Sequence, residues 1–196
     1  MKKNFFVQEI NNTIKLKKKL IKLEKKIYLA AEMIYKTLAT NNKVFICGNG
    51  GSAADAQHLA AEFMVRLRPN INRKPYPVIS LSLDTSTITA CSNDYSFDDL
   101  FSRNLIGLSK PNDLLISIST SGNSKNIIKV LKTAKRIKVK SISFLGNKGG
   151  NAKNLSDLDI IVPSNKTARI QEAHMFLGHY IFETVEDELI KEKSKD

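Results

Sequence analysis

The sequence predicts an α/β fold: a five-stranded parallel sheet flanked by helices, entered through a long N-terminal helical segment. Three observations predict it. Five short apolar runs alternate with helical stretches from residue 43 onward, the pattern of a parallel sheet covered on both faces. Residues 4–40 keep helical spacing and contain neither Gly nor Pro. Loops rich in Gly and Ser directly follow the first and third apolar runs, where sheets of this kind bind ligands.

The elements follow in order. In the N-terminal segment Phe6, Ile10, Ile14, Leu20, Ile21, Leu23, Ile27, Ala31 and Ile34 recur near helical spacing, as one helix or as two with a break near Asn11 and Asn12. KVFIC (43–47) is the first strand, and residues 52–68 form a helix that Pro69 follows. PNINRKPYP (69–77) is a loop, and VISLSL (78–83) is the second strand. Residues 85–108 hold one or two helices before the third strand, DLLISIS (113–119). SKNIIKVLKTAKRIK (124–138) is helical and SISFLG (141–146) is the fourth strand. A turn or short helix over 149–157 leads to LDIIVP (158–163), and a last helix runs from Thr167 to about Ile190. The chain reads as one domain over residues 1–196, with N-terminal helices at 4–40 and an α/β core with its final helix at 43–190.

Composition excludes several classes. With 196 residues, 42% of them apolar, the chain suits one core; at this size roughly 70% of the unfolded surface is buried. No run of 18 apolar residues occurs, so no membrane span or membrane partner is expected. The start, MKKNFFVQEINN, lacks the apolar stretch of a secretory signal. Cys47 and Cys91 have no metal or redox spacing and read as reduced core thiols, so a cytoplasmic location is expected. The net charge of +12 raises a nucleic-acid hypothesis, but much of it sits in KLKKKLIKLEKK (15–26) and the terminal KEKSKD. No aromatic residues interleave with the 15–26 lysines as stacking platforms. They read as a solvated helix face, and no nucleic-acid partner is expected.

The two loops are GNGGSA (48–53) and STSGNS (119–124). Each leads into a helix N-terminus, where unpaired N–H groups and the helix dipole favour an anion. Ser124 also fits a helix N-cap. Gly48, Gly50 and Ala53 match a relaxed dinucleotide fingerprint, yet the nearest acid ending the second strand, Asp84, lies 36 residues beyond Gly48. STSGNS has no place in a dinucleotide site and suits one sugar phosphate. By itself it would be an ordinary polar turn. No P-loop pattern occurs, which disfavours triphosphate chemistry.

His58 and Glu62 stand four residues apart on the first loop's helix, so they share a face. Taken alone they read as a surface pair, and the zinc-protease pattern H-E-x-x-H is absent. The other two histidines, His174 and His179, lie on the apolar last helix, TARIQEAHMFLGHYIFETVEDEL. Either could be a satisfied core histidine. With Gln171 they nonetheless give that helix an unusual density of polar groups.

Four motifs in order, CGNGGSAADAQHLAAEF (47–63), CSNDYSFDDLFSR (91–103), ISTSGNSKNI (118–127) and RIQEAHMFLGH (169–179), closely resemble the phosphoheptose isomerases of the SIS (sugar isomerase) fold. The resemblance covers nearly the whole chain. It implies a single SIS domain of flavodoxin-like topology and conversion of D-sedoheptulose 7-phosphate to D-glycero-D-manno-heptose 7-phosphate. It also implies service in bacterial nucleotide-activated heptose synthesis for lipopolysaccharide, capsule or other surface glycans. Substrate-binding positions carried over are Asn49, Gly50, Gly51, Glu62, Asn93, Asp94, Ser119, Thr120, Ser121, Ser124 and Gln171. His58, Glu62, Gln171 and His179 match a zinc site with one ion per subunit. Glu62 and His179 match the catalytic acid–base pair. A homotetramer is implied.

Two rivals stand beside this reading. One is a non-catalytic SIS protein of the replication-initiator-associating type, which has no need of Glu62 and His179. The other is an isomerase of a different sugar phosphate. Helix geometry adds one more expectation. Gln171 and His179 are separated by about 12 Å along a helix and about 80° around it. Sites shared between subunits, with Glu62 of one chain serving His179 of another, are therefore expected.

Overall fold

A computed structural model describes residues 5–82 and 84–193 of the chain. The chain enters through α1 (Phe5–Leu20), a single 3-10 turn (Ile21–Leu23) and α2 (Glu24–Ala39). The α/β part runs β1 (Val44–Gly48), α3 (Gly51–Met64), β2 (Val78–Ser80), α4 (Thr85–Asp94), α5 (Leu100–Leu108) and β3 (Leu114–Ser119). It ends with α6 (Lys125–Arg136), β4 (Lys140–Gly146), β5 (Leu158–Val162) and α7 (Thr167–Lys193).

All strand pairs are parallel, in the order β2-β1-β3-β4-β5. This is the doubly wound order whose reversal lies between β1 and β3. Gly48 pairs with Ile118 in register, so the loops that follow β1 and β3 leave the sheet side by side.

Alternate strand residues feed two cores. Val44, Ile46, Ile116, Ile118, Ile142 and Phe144 pack with buried residues of α1, α2, α3 and α7. Phe45, Cys47, Leu115 and Leu145 pack on the opposite face with those of α5 and α6. In α6 the buried Ile127, Val130, Leu131 and Ala134 make the stripe that its spacing predicts. Cys47 and Cys91 are buried free thiols, and burial pushes the Cys47 thiol well up from its ordinary value. At the N-terminal end of the strands the fully buried Asp113 accepts the Lys43 and Lys110 N–H groups. It thereby pins the starts of β1 and β3 to one another.

Several details differ from the sequence reading or resolve what it left open. The N-terminal break falls at Ile21–Leu23, and not near Asn11 and Asn12. There the helix absorbs its polar residues: Asn12 donates to the Glu9 carboxylate and Thr13 to the Glu9 carbonyl. Of the apolar series, Phe6, Ile10 and Ile14 stay 75%, 46% and 47% exposed, while Leu20 buries, as does Leu16 outside that series. β2 closes at Ser80; it is an edge strand, and residue 83 lies outside the described residues. Helix α3 stops at Met64, four residues before Arg68, and the 85–108 segment divides into α4, a 3-10 turn (Phe97–Asp99) and α5. Among the described residues no helix is long and apolar enough to cross a membrane.

Candidate functional site

The glycine loop turns tightly out of β1 into α3. The Asn49 carbonyl accepts the Ser52 N–H at 3.0 Å and the Gly50 carbonyl accepts that of Ala53 at 3.0 Å. The bare backbone of Gly51 leaves room for Gln171 of α7, whose amide nitrogen a methyl group there would overlap and displace. The Asn49 side chain exchanges two hydrogen bonds, of 2.8 and 2.9 Å, with that of buried Asn126 in the first turn of α6. This amide pair ties the β1 loop to the β3 loop across the switch point.

In the second loop the hydroxyls have divided roles. Ser119 accepts the Gly122 N–H and Ser121 accepts the Asn123 N–H, so both shape the turn. Ser124 takes the N-cap position of α6, as its sequence suggests, but its side chain makes no capping bond. Its hydroxyl and the first N–H groups of α6 are therefore free to meet an anion.

Three side chains converge at the other end of α3. His58 Nε2 lies 3.1 Å from Glu62 Oε1 and 3.0 Å from His179 Nε2. One donor atom from each residue falls within 4.8 Å of the others. The cause is the packing of α3 on α7. A methyl at Gly178 would come within 2.8 Å of a Leu59 methyl and force that side chain to shift, so the glycine accommodates Leu59 in the close approach of the two helices. Leu59 follows His58 and Gly178 precedes His179, so this contact sets the two imidazoles face to edge, with ring centroids 5.1 Å apart. Within one chain the donor atoms of Glu62 and His179 lie within 4.8 Å of one another, so the expected sharing of this pair between chains is not needed to bring them together. That expectation took Gln171 and His179 as the constraint; the α3–α7 contact brings Glu62 to His179 by itself.

Two imidazoles and a carboxylate form a zinc-type donor set. A tetrahedral ion with ligands at about 2.0–2.1 Å spaces its donors about 3.3–3.4 Å apart. The observed 3.0 and 3.1 Å separations are close to that edge length, so the residues fit such an ion.

The remaining sequence candidates fall elsewhere. His174 is a core residue: it is 1% exposed and donates Nε2–H to the Leu145 carbonyl at 3.1 Å. Burial lowers its pKa to about 4, with the Leu145 hydrogen bond acting in the opposite direction. Asn93 and Asp94 end α4, exposed and hydrogen-bonded to each other; among the described residues neither bonds to the glycine loop or to the His58–Glu62–His179 cluster.

Sequence reasoning missed four residues. Asn126 was detectable, being a polar side chain beside the apolar stripe of α6. Asp55, one turn before His58, holds a buried Oδ2 with no hydrogen-bond partner; desolvation pushes its pKa up, and His58 opposes the shift. Arg73 and Glu186 form a buried ion pair below Glu62. Neither stands out in its local sequence, because only the fold brings loop 69–77 to α7.

The SIS domain family model matches residues 6–146. A phosphoheptose isomerase of Clostridium acetobutylicum is 44% identical over 194 residues, covering 97% of this chain and 98% of that protein. One from Campylobacter concisus is 51% identical over 160 residues, 81% of this chain and 83% of its own length. The solved phosphoheptose isomerase of Neisseria gonorrhoeae superposes with a TM-score of 0.85 at 36% identity, covering 93% of this chain and 97% of that one. That of Francisella tularensis superposes with a TM-score of 0.87 at 31% identity, covering 92% and 95%. Sequence and topology thus agree, and the chain belongs to the phosphoheptose isomerase family of SIS-domain sugar-phosphate isomerases.

Proposed function

We propose that the chain converts D-sedoheptulose 7-phosphate to D-glycero-D-manno-heptose 7-phosphate. The observation that carries this reading is the meeting of Glu62 and His179 on the helix pair that begins beside the phosphate-type loops. α3 rises about 10 Å between Gly51 and His58, a distance that an open phosphorylated seven-carbon chain bridges.

In this reading the sugar's phosphate lies against the N-termini of α3 and α6. The Asn49–Gly50–Gly51 turn, the Ser119–Ser124 loop and the Ser124 hydroxyl hold it there. Gln171, packed on Gly51, contacts the sugar, and Asn93 and Asp94 complete the binding set. The Glu62 carboxylate takes the proton from C1 of the ketose, and the same proton inventory is returned at C2 of the enediol. His179 moves the proton between the two oxygens. Fixing the phosphate far from C1 and C2 supplies orientation. His58, Glu62 and His179 would hold zinc, one ion per subunit; the Gln171 amide, also expected as a ligand, lies against Gly51 at the start of α3, apart from these three. When bound, zinc supplies a Lewis acid for the negative charge that develops on the enediol oxygens. Glu62 turns Oε1 toward His58, which leaves its second oxygen for proton transfer.

The proposed setting is cytoplasmic nucleotide-activated heptose synthesis for bacterial surface glycans. The proposed assembly is a homotetramer. Its support is the run of exposed apolar side chains on α1, Phe5, Phe6, Val7, Ile10 and Ile14. The test of function is a coupled assay of purified protein with sedoheptulose 7-phosphate beside other ketose phosphates. Preferential turnover of the heptulose is expected; turnover of another sugar phosphate alone, or none, overturns the reading.

A further inference from the structure

Loop 69–77 carries a buried arginine that the proposed chemistry does not use. The Arg73 side chain is 4% exposed. Its Nε donates to Glu186 Oε1 at 2.5 Å, one terminal nitrogen donates to the Glu62 carbonyl at 2.8 Å, and the other donates to the Phe63 carbonyl at 2.9 Å. Its guanidinium also lies over the rings of Phe63 and Tyr76, at 5.1 and 5.5 Å. Glu186, fully buried, accepts a second charged bond from Arg68 Nε at 2.6 Å.

The position of these bonds is informative. Glu62 stands in the last turn of α3, whose final carbonyls have no N–H partner within the helix. An uncapped last turn frays, and a base placed there would be loosely held. Arg73 takes the carbonyls of Glu62 itself and of its neighbour, with a cation at the negative end of the helix dipole. Glu186 lies seven residues after His179, two helical turns along the same face of α7. The Arg73–Glu186 pair is thus a strut between the backbone of one member of the acid–base pair and the helix face of the other.

We infer that Arg73, held by Glu186, is a positioning residue that fixes Glu62 relative to His179 and His58. The inference rests on the proposed acid–base reading of Glu62 and His179. Arg73 touches neither the phosphate-type loops nor the cluster's donor atoms. Its loss therefore alters the chemical step and metal affinity while leaving phosphate recognition in place. A strut serving stability alone would lower Tm and leave both of those unchanged.

The experiment compares wild type with Arg73→Lys, Glu186→Gln and Glu62→Gln. Lysine keeps the charge but loses the fork that spans a carboxylate and two carbonyls. Glu186→Gln keeps size and one acceptor. In Arg73→Lys, well below its Tm, kcat is expected to fall about tenfold or more while KM stays within about twofold. The zinc affinity, read by competition with a chelating dye, is expected to weaken about 10-fold, the low end for residues that orient ligands. Glu186→Gln is expected to move kcat and zinc affinity the same way by less, and it decides the matter if Arg73→Lys does not fold. Wild-type kcat and zinc affinity in the folded variants overturn the inference, as does a raised KM with unchanged kcat. Glu62→Gln separates the two levels. If it retains turnover, the acid–base reading itself fails; if it loses turnover while the Arg73 and Glu186 variants keep theirs, only the strut fails.

Discussion

His58 and His179 meet with their Nε2 atoms 3.0 Å apart, one from the first helix after β1 and one from the last helix of the chain. Beside the Glu62 carboxylate, this places two nitrogen donors and one oxygen donor together without help from another chain. Protein purified without chelator is therefore expected to hold roughly one zinc per chain by metal analysis, as a structural or catalytic site of this donor set does. His58→Ala is expected to hold markedly less. Full activity in chelator with no zinc detected would remove the metal from the account.

Gly51 and Gln171 make a second prediction. A methyl at Gly51 meets only the far end of the Gln171 side chain, so Gly51→Ala is expected to fold while displacing that amide. Its effect on KM should resemble that of Gln171→Ala. The double variant should then be little worse than either single one, since both remove the same contact. Additive losses would separate the two residues.

Ser124 stands uncapped at the N-terminus of α6. Loss of one hydroxyl from a multi-donor anion site costs ~1.5–3 kcal/mol. Ser124→Ala is thus expected to raise KM more than it lowers kcat. Steady-state kinetics giving the reverse pattern would put Ser124 at the reacting carbons.

His174 predicts a pH dependence of stability. Its folded pKa, about 4, lies below the ordinary 6.5 because burial penalises the imidazolium. Above pH 6.5 both folded and unfolded states hold it neutral, and its contribution is fully present. As pH falls from 6.5 toward 4 the unfolded state takes a proton that the folded state refuses, and stability is lost. The loss attributable to this group is on the order of 3 kcal/mol. Urea midpoints of wild type and His174→Gln should therefore converge or cross across that window. A difference independent of pH would contradict the assignment.

Most of the fold was legible because its signals are local. Each apolar run became a strand, and the Gly and Ser loops met at the switch point that their parallel order requires. The α1–α2 break was misread because Asn12 and Thr13 find partners inside the helix, which composition alone does not reveal. In the site, His58 and Glu62 were visible by helical spacing and His179 as one of several polar groups on an apolar helix, its role coming through family resemblance. Their closure within one chain comes from the packing of α3 on α7, where Gly178 lies against Leu59, residues far apart in sequence. Arg73 and Glu186 were invisible for the same reason: a lone arginine in a basic chain and a glutamate in an acidic run acquire meaning only when α7 packs beside the end of α3.

The central claim is that Glu62 is the base of an isomerase. Glu62→Gln keeps the size of the side chain and removes its basicity. Its turnover of sedoheptulose 7-phosphate, measured beside calorimetric binding of the same sugar phosphate, tests the claim most directly. Turnover is expected to fall at least ~10²-fold, the low end for losing a general base, with binding retained. Near-wild-type turnover in this variant would contradict the account.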